Sequence, residues 1–217
     1  MGLILYQTPK TDEELKKRMA IHYSQPKGFI GRVLCYAIVY DDVYYGHIIG
    51  ASAARHLPNR YQFFGLDDSY LNYIVNNIFF NMTRVDGKYP TRNFATKVLK
   101  AFVDRVEYDW YDQYGDPVFG FETMIEPPRT GDMYVRAGWT LVGMTQGITM
   151  KRTGGAKCGR FAGQIIRDKV NLRPKTVFCL RAKRRSTVKP YAPDFDEKVN
   201  VADIPGIYIE ASSSEAA

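Results

Sequence analysis

Cysteine and histidine are scarce: three of each in 217 residues. Cys35, Cys158 and Cys179 are odd in number and widely spaced, which argues against a disulfide framework and against a thiolate zinc site. Cys35 falls in an apolar strand pattern and reads as a core thiol. His47 falls inside a strand pattern and His56 in a polar loop, with no carboxylate–histidine pair at ligand spacing, so no metal is expected. No apolar run approaches the roughly 20 residues of a membrane span. The short apolar stretch from Met1 to Gln7 has no basic flank and no cleavage site. Internal repeats are absent as well. The expectation is a protein of a reducing, cytoplasmic compartment, without membrane partners.

What remains is the composition of a globular domain: 45% hydrophobic residues, 14% aromatic, 16 of them tyrosine. The length suits one sizeable core better than two. The net charge of +7 is not spread evenly. Residues 1–150 hold 16 basic and 16 acidic side chains, whereas residues 151–191 hold 13 basic and 1 acidic. Residues 192–217 reverse the sign, with 1 basic and 6 acidic. A block of this kind is the electrostatic footprint of a polyanion binder, or else a solvated tail. The division expected is therefore a core at 1–150, a nucleic-acid-contacting extension at 151–191 and an acidic, flexible tail at 192–217. Arg152, Lys157, Arg160, Arg181, Lys183, Arg184 and Arg185 are the candidate contacts to DNA or tRNA.

Along the core, Thr11-Asp12-Glu13-Glu14 has the form of a capping box, with a helix to about Ile21. Val33–Tyr40 and Val43–Ser52 read as a hairpin around Asp41-Asp42, with Gly46 and Gly50 as points of bulge or close approach. Residues 53–70 read as a loop. Residues 71–80 suit a short helix or the entry to a strand, and Phe79–Val85 reads as a central strand. A helix is expected from Pro90-Thr91 to about Tyr108, because Val98, Leu99, Phe102 and Val106 recur at helical spacing. A strand at 117–123, a short helix at 131–137 and a strand at 139–145 follow. A strand feeding a helix and returning beside it is a βαβ unit. Beyond Thr153, a basic helix is expected at 160–170 and a strand at 175–180. Residues 210–217 have a disordered composition.

Four constellations carry candidate chemistry. His22-Tyr23-Ser24 follows the first helix; the histidine can act as a base and the tyrosine as a proton donor, or both can be surface packing. Arg84 and Thr91-Arg92-Asn93 flank a helix start, where free amides and the helix dipole favour an anion; a salt bridge is the alternative for Arg84. Glu122 ends a strand, either as a general base or as a loop carboxylate that caps the next helix. Tyr134 is a candidate acid for a leaving group, unless with Trp139 it seals the core.

Residues 22–147 resemble two families. Gly31-Arg32, Gly50-Ala51-Ser52-Ala53-Ala54, Asn76-Asn77, Asp109-Trp110, Tyr114-Gly115 and the run from Tyr134 through Ala137-Gly138-Trp139 to Gly147 are similar to the DruA proteins of the Druantia anti-phage system. His22-Tyr23-Ser24, Met82-Thr83-Arg84-Val85 and the same Ala-Gly-Trp close resemble the Mom family of phage DNA-modification proteins. The Mom resemblance implies a GNAT-like α/β fold, with a mixed, partly parallel sheet flanked by helices. It also implies transfer of a small acyl or carbamoylmethyl-type group to an adenine amine, protecting DNA from restriction. His22, Tyr23, Arg84 and Tyr134 would then share the active cleft, with Glu122 at a strand end. The helix-start corner Thr91-Arg92-Asn93-Phe94-Ala95-Thr96 lacks the glycines usual for a GNAT acyl-CoA site, which leaves acetyl-CoA and an aminoacyl-tRNA both open as the acyl donor. A non-catalytic DruA-like nucleic-acid-binding subunit and a small-amine N-acetyltransferase are the rival readings.

Overall fold

A computed structural model describes residues 2–24, 29, 31–55, 57–153, 164–168, 172–183 and 198–210. Its centre is a hydrophobic hairpin. Strands β2 (Val33–Tyr40) and β3 (Val43–Ser52) pair antiparallel, and Asp41 and Asp42 take φ 47° and 63° in the connecting turn. Positive φ at both central residues matches the twist of a tight hairpin. The register shifts opposite Gly46 and again at Gly50, so the two glycines do mark irregular pairing. A Cβ on Gly50 would lie 2.7 Å from the Val75 side chain, so a larger residue there would push two strands apart.

Side chains of β2 alternate strictly between two buried faces. Leu34, Tyr36 and Ile38 join one cluster with Val98, Phe102, Val106 and Trp110 of helix α3 (Phe94–Tyr114). Val33 and Cys35 face the other way, against Leu15 of helix α1 (Glu13–Ile21), and Ala37 and Val39 face Val201 and Ile204 near the chain's end. A strand buried on both faces reads as a continuous apolar run, as this one does. Asp12 caps α1, its Oδ1 accepting the Leu15 amide at 2.8 Å, in place of the expected Thr11.

Among the described residues the main sheet has seven strands. Strand β1 (Leu3–Thr8) precedes β2, and β4 (Ile74–Met82), β5 (Gly120–Ile125), β9 (Thr176–Arg181) and β6 (Thr140–Met144) follow β3 in that spatial order. Among the described strands of this sheet, only the neighbours β4 and β5 run parallel, joined by α3 in a βαβ unit. The mixed, partly parallel sheet flanked by helices is the expected class of fold.

Several boundaries differ from expectation. The central strand starts at Ile74 and ends at Met82, five residues earlier than expected at its start. Helix α3 begins only after Asn93, whose left-handed φ of 56° bars the preceding residues from the helix, and ends on left-handed Gly115. It continues past Tyr108 because Asp109 and Trp110 extend its buried stripe. The expected loop at 53–70 contains helix α2 (Pro58–Phe64), with proline in its first turn and Gly65 closing it. A 3₁₀ turn follows at Asp68–Tyr73.

The basic block also folds differently. Residues expected as a basic helix at 160–170 include strand β8 (Gln164–Asp168), antiparallel to β7 (Thr149–Thr153). The expected boundary at residue 150 therefore falls inside β7. The strand expected at 175–180 is present as β9, but it lies inside the main sheet between β5 and β6, with Val177, Phe178 and Cys179 buried. Val177, Phe178 and Cys179, within the basic segment, thus belong to the core. Lys157, Arg160, Arg184 and Arg185 lie outside the described residues, as do His56 and Cys158. Among the described residues, no helix is long and apolar enough to cross a membrane.

Candidate active site

The site begins where two parallel strands part. β4 and β5 pair at Ile74–Gly120, Val75–Phe121 and Asn76–Glu122, and no further. At the next residues side chains replace the ladder. Thr123 Oγ1 donates to the Asn77 carbonyl at 2.9 Å, and Tyr134 Oη donates to Asn77 Oδ1 at 2.6 Å. The Asn77 amide donates to the carbonyls of Ile49 and Phe79, at 3.0 and 3.1 Å, which fixes its orientation. Beyond this knot the strands diverge and open a cleft of about 780 Å³. The carboxyl ends of splayed parallel strands are where open α/β sheets receive ligands.

Tyr134 is carried by the short helix α4 (Asp132–Arg136). Gly131 before it adopts φ 77°, and a Cβ there would meet Phe178 at 2.6 Å and Ile125 at 2.9 Å. The Tyr134 ring is stacked on Phe178 and edge-on to Trp139. Burial pushes its hydroxyl well above the ordinary tyrosine range, so it stays protonated.

The opposite wall comes from the residues after α1. His22 is buried, its ring 4.2 Å from Tyr23 and 4.6 Å from Phe79. Its Nδ1 accepts the Ser24 amide at 3.3 Å and lies 2.8 Å from the Ser24 hydroxyl. Burial, then the Arg129 charge, hold His22 below the usual histidine range, against a hydrogen bond to the Phe80 backbone. The imidazole is therefore neutral at neutral pH and has a lone pair to accept a proton. Arg129 stacks 3.5 Å over the Tyr23 ring and closes the two walls toward each other.

A second pocket of about 530 Å³ adjoins the first through Tyr89, Ala95 and Met133. Among the described residues, Arg84, Lys88, Arg92 and Arg136 line it, and no carboxylate does. It covers the start of α3, where Asn93 makes no side-chain cap and the first helical bond is Lys97 to the Asn93 carbonyl. The amides of residues 94–96 thus have no partner inside the helix, and the dipole's positive end faces the pocket. Asn93 supplies the left-handed turn for which glycine would otherwise be needed. Arg84 lies over the Tyr89 ring at 5.7 Å.

The structure therefore gathers Arg84, Thr91, Arg92 and Asn93 in one pocket and His22, Tyr23 and Tyr134 in its neighbour. It does not bring Glu122 to either. That carboxylate is fully buried, 3.0 Å from Arg60 Nη1 and accepting the Ala54 amide at 2.9 Å. Burial raises its pKa and the Arg60 charge opposes the rise. Its role is to bind β5 to α2. Trp139 is buried in the core. Arg181 is held by the Phe63 carbonyl and lies over the Phe63 ring at 5.1 Å, Lys183 is exposed, and Arg152 lies in β7.

Arg129, Thr123, Lys88 and Arg136 were not among the expected site residues, and Asn77 entered only in the Asn76-Asn77 stretch similar to the DruA proteins. The polar pair Asn76-Asn77 inside an apolar strand was its signal; Arg129, in a loop of mixed composition, gave none. Among the described residues, no group of three His, Cys, Asp or Glu is placed to hold a metal ion.

No protein-family model matches the chain, and no curated protein does. Solved structures are similar in outline. A Bacillus subtilis acetyltransferase in complex with CoA is 11% identical, covering 83% of this chain and 99% of its own, with a TM-score of 0.49. A GNAT-family acetyltransferase from Elizabethkingia anophelis with acetyl-CoA bound is 6% identical, covering 83% and 98%, with a TM-score of 0.48. An IAA acetyltransferase from Bacillus cereus is 10% identical, covering 83% and 99%, with a TM-score of 0.46. These likenesses are of chain trace.

Proposed function

We propose that this protein is an acyl-type transferase that moves a small group from a phosphate-bearing donor to an amine, the amine being that of a nucleic-acid base, adenine first. One observation carries the reading. A pocket lined, among the described residues, by four cations and no carboxylate at a helix start runs directly into a cleft between splayed parallel strands. Arg84, Arg92, Arg136 and the amides of residues 94–96 suit the phosphates of a coenzyme A thioester, and the cleft edge of β4, unpaired by β5 beyond Asn76, suits an extended arm. When bound, such a donor supplies an activated acyl carbon.

The chain's own groups do the proton work. His22 Nδ1, neutral because the ring is buried beside Arg129, accepts a proton from the incoming amine through the adjacent Ser24 hydroxyl. Tyr134 Oη, kept protonated by burial, stands at the strand fork and, on releasing Asn77 Oδ1, becomes the proton donor for the departing group. The DNA part of the proposal rests on the Mom resemblance and on the 13 basic side chains of residues 151–191. Such a block adds salt-dependent affinity for a phosphate backbone, and a duplex base would have to leave its stack to enter the cleft.

Nucleoside mass spectrometry tests this. DNA and tRNA are incubated with acetyl-CoA and either wild-type protein or Tyr134→Phe. A new adenosine mass with wild type, reduced on the order of 100-fold or more in the variant, is expected. Acylation of small amines with none of either nucleic acid would move the function to a small-molecule acetyltransferase.

A further inference from the structure

The cleft has an end that the donor pocket does not touch. Tyr89, Ala95 and Met133 are common to both pockets, whereas Tyr23 and Arg129 line only the larger one. Among the described residues its charged lining side chains are Arg129 and Asp132. Arg129 is exposed, and among those residues no carboxylate pairs with it. Glu126, three positions earlier, lies instead near Arg173 and Lys175, at 4.0 and 3.9 Å.

The stacking geometry says how Arg129 can bind. A guanidinium 3.5 Å above the Tyr23 ring has one face occupied and its long stem ordered. Its N–H donors lie in the plane, pointing outward as a fork that fits a carboxylate or phosphate through two parallel bonds. Tyr23 touches His22 at 4.2 Å, so an anion held by that fork sits beside the candidate base and away from the donor's own phosphates.

Resting on the reading of this cleft as a site of acyl transfer, we propose that Arg129, ordered by Tyr23, recognises an oxyanion on the acceptor, so that the substrate class is an amine bearing a phosphate or a carboxylate. A nucleotide is one source of that anion and an amino acid another.

Calorimetric titration of the full chain without any acyl donor tests the claim, with the Tyr23 ring resonances followed by NMR. The probes are adenosine 5′-monophosphate against adenosine, and tryptophan against tryptamine. The anion-bearing member of at least one pair is expected to bind about tenfold tighter or more and to shift the Tyr23 resonances. A preference within the first pair alone names phosphate; within the second alone, carboxylate. Arg129→Gln is expected to remove most of the preference and Arg129→Lys to keep part of it, since lysine retains the charge without the fork. Equal binding within both pairs, no binding of any probe, or a preference that survives Arg129→Gln but is lost in Arg84→Ala would overturn the proposal. Because the titrations contain no donor, their failure is distinct from failure of the transfer reaction.

Discussion

His47 is wholly buried in β3, with Nδ1 2.6 Å from the Tyr44 hydroxyl and Nε2 lacking a hydrogen-bond partner. Burial, then the Arg18 charge, push its pKa down to about 3. Asp12 lies 3.6 Å from Nε2, but its oxygens already accept the amides of Leu15 and Val201. The folded state thus holds this imidazole neutral, and the unfolded chain takes up its proton first. Stability from this group is complete above the ordinary histidine value of 6.5 and drains as pH falls toward 3. At about 1.4 kcal/mol per pH unit, the loss by pH 4 is on the order of 3 kcal/mol. Urea unfolding at pH 7 and pH 4 should show it, and His47→Gln should flatten the dependence. Glu122 makes a second residue-scale contrast. Glu122→Gln breaks a fully buried ion pair and should cost about 3 kcal/mol of stability. Its transfer rate per folded molecule should match wild type, because the carboxylate faces Arg60 and not the cleft. A rate loss of a hundredfold in well-folded protein would return Glu122 to the role of base.

At the scale of elements, the hairpin, the long helix and the later strands were legible because alternation and helical spacing reflect burial directly. Val98, Leu99, Phe102 and Val106 announce α3, and Asp41-Asp42 announce its neighbour's turn. Element ends were less legible, since they depend on one residue's backbone. Asn93 stops α3 from starting at Pro90, which the apolar spacing alone does not reveal. α4 depends on such a point too. Gly131→Ala would set a methyl against Phe178 and Ile125 at a left-handed φ, and α4 would have to shift with Tyr134 upon it. A cost of 1–3 kcal/mol in stability is expected, of the order of core overpacking, together with a kcat loss larger than the KM change. Thermal melts and steady-state kinetics on one preparation check both.

For the whole molecule, charge misled where topology decided. The run of 13 cations after residue 150 reads as an appendage, yet Val177, Phe178 and Cys179 within it fill the gap between β5 and β6. Three buried residues outweigh the surrounding charge in placing a strand, and pairing between strands distant in sequence leaves no local signal. The same holds for the site. The Mom resemblance put Arg84 in one cleft with His22, Tyr23 and Tyr134, whereas the sheet divides them, Arg84 and Arg92 in the anion pocket and the other three in the strand-fork cleft. Arg129 became visible only through its contact with Tyr23, more than a hundred positions away. On the proposed function, the cationic pocket and the fork together hold a phosphate-bearing acyl donor. Calorimetric titration with acetyl-CoA tests it most directly, in wild type and in Arg84→Ala/Arg92→Ala. Saturable one-to-one binding, weakened at least tenfold in the double variant by loss of charge-assisted bonds, is the predicted result. No binding by wild-type protein, or equal binding by both, would contradict it.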